Sequence, residues 1–135
     1  MRQRRRTWLR LTFMRRALWV IDLACVLVFV GIGRSVHAHG PGAGHLVSIA
    51  WPFVTGLAVG WSSVLIRGSL GATVTDGVIV TTATVVIGMV LRVISGQGTA
   101  FAFVLVAFGF LGATMIGWRA ARLGLGRVRG AGPAP

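Results

Sequence analysis

Four long apolar runs, separated by short polar breaks, dominate the chain. They cover about residues 17–33, 45–66, 77–94 and 99–118. None alternates polar with apolar positions as a barrel strand does. At about 1.5 Å per residue the first run reaches roughly 25 Å and the others more, against a hydrocarbon core of about 30 Å. A helix satisfies its own backbone polar groups in lipid, and short connections make neighbouring helices antiparallel. The predicted fold class is therefore all-α, a transmembrane bundle of four helices.

The breaks and the small residues sharpen this picture. Residues 34–44 hold several glycines and Pro41, which favour a loop. Ser95, Gly96, Gln97 and Gly98 make a tight turn. In the second run Pro52 removes a backbone donor and crowds the carbonyl of Ser48, which predicts a kink. Gly56 and Gly60 form a GxxxG pair suited to close helix approach. In the third run Gly77, Thr81, Thr84, Gly88 and Arg92 fall on one helical face, expected to pack inward. In the fourth, Gly109, Ala113 and Gly117 repeat every four residues and predict a flat contact face. The domain plan is a basic arm (1–16), a membrane domain (17–122) and a flexible Gly-, Arg- and Pro-rich tail (123–135).

Composition excludes a soluble domain. Hydrophobic residues make up 55% and charged residues 12%, against about 25% charged in soluble domains. All fourteen basic residues are arginine, and the net charge is +12. They flank the apolar runs instead of gathering on a folded polar surface, which argues against nucleic-acid binding. With both termini in the cytoplasm, twelve arginines lie inside: seven in the arm, Arg67, and four in the tail. Only Arg34 and Arg92 then lie outside. The positive-inside rule favours this orientation, in a plasma membrane whose anionic cytoplasmic leaflet attracts the arm. Cys25 is the lone cysteine, so no intramolecular disulfide exists, and its apolar setting reads as packing.

Candidate chemistry is sparse. Asp22 and Asp76 are the two acids of the chain. An acid within a span faces a partner, water or the bundle interior. Asp22 has two readings: a proton or cation site, or a structural pair with Arg67 or Arg119 from a neighbouring helix end. The structural reading is preferred. Arg92 reads as an outer anchor that snorkels or, in the alternative, as part of a polar pathway. His37, His39 and His45 are weak metal candidates, because no acid or cysteine nearby completes a zinc sphere. No nucleophile–base arrangement, paired carboxylates or phosphate-binding glycine loop is present, so no enzymatic activity and no cofactor are expected.

Together the motifs resemble a known family. They are Asp22 with Gly33-Arg34-x-x-His37, Trp51-Pro52-Phe53 with Gly60-Trp61, Gly88-Met89-x-Leu91-Arg92 with Gly96-x-Gly98-Thr99-Ala100, and Gly117-Trp118-Arg119. The chain over about residues 17–120 is similar to the small bacterial membrane family called domain of unknown function 3054. That family is common in actinobacteria, which the arginine-only, glycine- and alanine-rich composition suits. The resemblance implies a four-span membrane protein and carries over no reaction, substrate or catalytic residue. The leading expectation is a non-enzymatic accessory or interaction subunit, in a homo-oligomer or a larger membrane complex. The alternative is a small oligomeric transporter or channel using Asp22 and Arg92.

Overall fold

The computed structural model describes residues 2–36 and 43–130, with side chains described for 13–33 and 46–127. Helix α1 spans Arg2–Val36, α2 Ala43–Ile66, and α3 Val74–Ile94. Helix α4 spans Phe101–Leu111, a π-helical segment follows over Gly112–Ile116, and α5 spans Gly117–Gly130. The last three join into one rod. Among the described residues, four stretches are long and apolar enough to cross a membrane: Phe13–Gly33, Leu46–Ile66, Val74–Ile94 and Phe101–Arg127. The end of the bundle carrying residues 67–73 is called basal here, and the end carrying residues 95–100 apical.

Three boundaries differ from expectation. The basic arm is not a separate element, since α1 runs through it unbroken. No glycine or proline interrupts the chain before Gly31, so nothing stops helix propagation. Helix α3 begins three residues before Gly77, because Thr73 and Asp76 close a reciprocal capping box. The tail expected to be flexible is helical as far as Gly130.

The tightest packing joins α2 to α3 through the expected glycines. A Cβ at Gly56 would lie 2.7 Å from the Thr84 carbonyl oxygen, and one at Gly60 would lie 3.0 Å from Val80 Cα. A Cβ at Gly88 would lie 2.7 Å from the Phe53 ring. Gly77, Thr81, Thr84 and Gly88 are all buried, as the face pattern predicts, with Arg92 half-buried at its apical end. Helices α1 and α4 close over this pair through aromatic contacts. Phe29 meets Phe53 edge-on at 5.6 Å and lies 5.7 Å from both Phe103 and Phe110.

The face predicted for the fourth span is reversed. Gly109, Ala113 and Gly117 are exposed, and a Cβ on either glycine would meet nothing. Ala107, Leu111, Met115 and Arg119 point inward and are fully buried. Both sets repeat every four residues. In a plain α-helix such a row drifts around the axis by about 40° per step. The π segment bonds i to i+5 and holds more residues per turn, so the row stays on one side. The row ending in Arg119 occupies the core, and the glycine row faces outward.

Pro52 organises the apical end. Lacking an N–H, it leaves the Ser48 carbonyl without its helical donor. Gln97 Nε2, from the α3–α4 turn, donates to that oxygen at 2.9 Å. The Gln97 carbonyl accepts from Arg92 Nη1 at 3.0 Å, and the Arg92 guanidinium lies 4.9 Å from the Phe103 ring centre. One proline thus exposes a carbonyl that ties three helices together.

Candidate functional site

Asp22 sits on the inward face of α1 with Leu18, Val26 and Phe29, one to two helical turns apart. Its carboxylate is fully buried and meets four donors. Arg119 Nη1 donates to Oδ1 at 2.9 Å and Nη2 donates to Oδ2 at 2.7 Å, a two-pronged pair. Trp118 Nε1 donates to Oδ1 at 3.1 Å, and Trp61 Nε1 donates to Oδ2 at 3.0 Å. Each carboxylate oxygen therefore holds one guanidinium and one indole N–H. A planar guanidinium matches a carboxylate edge as a lysine ammonium does not.

Arg119 is equally well held. Its Nε donates to the Gly71 carbonyl at 2.9 Å, and Nη1 also donates to the Met115 carbonyl at 2.6 Å. The guanidinium lies 4.4 Å from the Trp118 ring centre. The side chain lies in a slot that Gly77 leaves open, since a Cβ there would come within 2.8 Å of Arg119 Cδ. Gly71 is constrained twice over. Its φ of +79° is a left-handed conformation that glycine adopts without strain, and a Cβ there would run into the Trp61 ring.

The second acid of the chain supports the first. Asp76 Oδ2 accepts from Ser69 Oγ at 2.6 Å and from the Thr73 backbone at 3.1 Å. These bonds fold the 67–73 loop that presents the Gly71 carbonyl to Arg119. Both acids thus fix the same basal cluster, which joins α1, α2, the α2–α3 loop and α5.

Of the two arginines considered for Asp22, Arg119 is its partner, and Arg67 is exposed at the end of α2. Arg92 lies at the other end of the bundle and does not share a site with Asp22. His37 and His39 lie outside the described residues, as does the side chain of His45. Among the described residues no group of metal-ligating side chains occurs. Cys25 is half-buried against the core.

Trp61, Trp118 and Gly71 complete the site without having been predicted as partners of Asp22. A sequence signal existed for the tryptophans: a buried indole N–H needs an acceptor, and the spans hold few. A carboxylate with four donors has no free lone pair directed at a solute. A buried ion pair is stable only when such additional bonds are made.

One groove lies beside this cluster on its basal side. It is open to the surroundings, has a volume of about 410 Å³, and is lined by Ala72, Thr73, Arg122, Leu123, Gly126 and Arg127.

Residues 19–122 match the model of a family described as a protein of unknown function (DUF3054). No curated protein and no solved structure matches the chain.

Proposed function

Because the chain belongs to the DUF3054 family, whose description brings no reaction with it, we propose that it is a non-enzymatic accessory or interaction subunit. In this reading it sits in the plasma membrane with both termini in the cytoplasm, and Asp22 is a structural clamp. The saturation of Asp22 carries the proposal: all its donors are side chains of this chain, at 2.7 to 3.1 Å. A cation pathway would need a carboxylate that exchanges its partners, whereas the Arg119 guanidinium takes an acceptor position on each oxygen of Asp22. The distribution of arginines, twelve at the basal end and its extensions against two near the apical end, supports cytoplasmic termini.

Orientation is tested by reporter fusions at Gly42 and at the C terminus. A periplasmic signal from the C-terminal fusion would end that part of the reading. The clamp is tested by thermal unfolding of the purified chain in detergent. Asp22→Asn should lower the midpoint strongly. An Asp22→Asn protein as stable as the original, with altered ion flux in liposomes, would instead favour a transport site. The accessory role predicts that gentle solubilisation of native membranes recovers the chain with another membrane protein.

A further inference from the structure

We propose that the basal groove is a discrete binding site for the headgroup phosphate of an anionic phospholipid. It rests on membrane placement of the bundle, and on the proposed orientation only for which leaflet supplies the lipid. Arg122, Leu123, Gly126 and Arg127 are spaced i, i+1, i+4 and i+5 and form one face of α5 toward Ala72 and Thr73. Gly126 leaves the middle of that face low, with nothing near a would-be Cβ. The two arginines stand on either side, each able to pair with phosphate oxygens in two-pronged fashion.

The groove also has the right depth. From Phe101 to Arg127 the rod runs 27 residues, about 40 Å, against a hydrocarbon core of about 30 Å. With Phe101 at the apical edge of that core, the residues from Arg122 onward reach headgroup level. Leu123 lines the groove there and is 46% exposed. Two arginines flanking an exposed leucine suit an amphiphile better than a free anion. Asp76, the nearest acid, is buried, bonded to Ser69 and Thr73, and does not line the groove.

Native mass spectrometry of the detergent-purified chain tests this, after reconstitution with phosphatidylglycerol or phosphatidylcholine. One phosphatidylglycerol should be retained per chain, and phosphatidylcholine should not compete for it. The double variant Arg122→Gln/Arg127→Gln should lose occupancy roughly thirtyfold, at the usual contribution of an interfacial arginine. A variant with the same charge loss in the arm, Arg4→Gln/Arg5→Gln, should keep it. Equal losses in the two variants would show diffuse attraction and overturn the site. So would retention by the groove variant, or displacement of the lipid by inorganic phosphate alone. Circular dichroism and the Asp22-dependent unfolding midpoint verify that the groove variant is folded. Because retention is read in detergent, a wrong orientation leaves this result unchanged and appears only in the reporter fusions.

Discussion

Asp22 and Arg119 are fully buried, so each depends on the other for the solvation that water would supply. Removing one member of such a pair typically costs about 3–5 kcal/mol, because the remaining charge is stranded. Asp22→Asn and Arg119→Gln should each lower the unfolding midpoint sharply. The double variant should recover part of the loss, since two neutral amides restore some hydrogen bonding. Additive losses in a double-mutant cycle would contradict a direct pair. Trp61→Phe and Trp118→Phe remove one donor each while keeping a large apolar ring, and about 1–2 kcal/mol is expected per change. Gly71→Ala should cost at least as much, because it adds strain at φ +79° and forces Trp61 away from Asp22.

The glycine positions separate at the level of helices. Gly56 and Gly109 each lie in apolar helical sequence and look equally suited to close packing. Gly56→Val should disrupt the bundle, since the α3 backbone lies within contact of any added carbon. Gly109→Ala should be neutral or slightly stabilising, by the usual gain of alanine over glycine in a helix of up to about 1 kcal/mol. Paired unfolding curves of the two variants check the assignment of inward and outward faces. The apical tie makes a second prediction. Gln97→Ala should destabilise the protein with Pro52 in place. It should do so less in a Pro52→Ala background, where the restored backbone N–H can satisfy the Ser48 carbonyl.

The whole molecule is closed by a contact between its beginning and its end. Asp22 and Arg119 are 97 residues apart, so α1 is synthesised and inserted well before its partner arrives. An unpaired acid within a span disfavours stable insertion. A chain ending at Trp118 should therefore be degraded or inserted poorly in cells. A chain ending after Arg127 should accumulate normally. Pulse-chase labelling of the two truncations measures this directly, and equal half-lives would contradict closure by Arg119.

Much of this fold was legible in the sequence. Hydropathy gave four spans, because lipid admits little else than apolar helices with satisfied backbones. The GxxxG pair of α2 and the small-residue face of α3 pointed inward as read, since close backbone approach requires small side chains. The sequence also narrowed the partner of Asp22 to Arg67 or Arg119. Tertiary structure decided the rest. The two four-residue rows of the last rod are equivalent as periodicities, and the fold buries the one that carries Arg119 to Asp22. The convergence of Trp61, Gly71 and Trp118 on one carboxylate depends on how far each helix slides past the next. No local spacing records that offset, because it is set by packing contacts summed over the whole bundle.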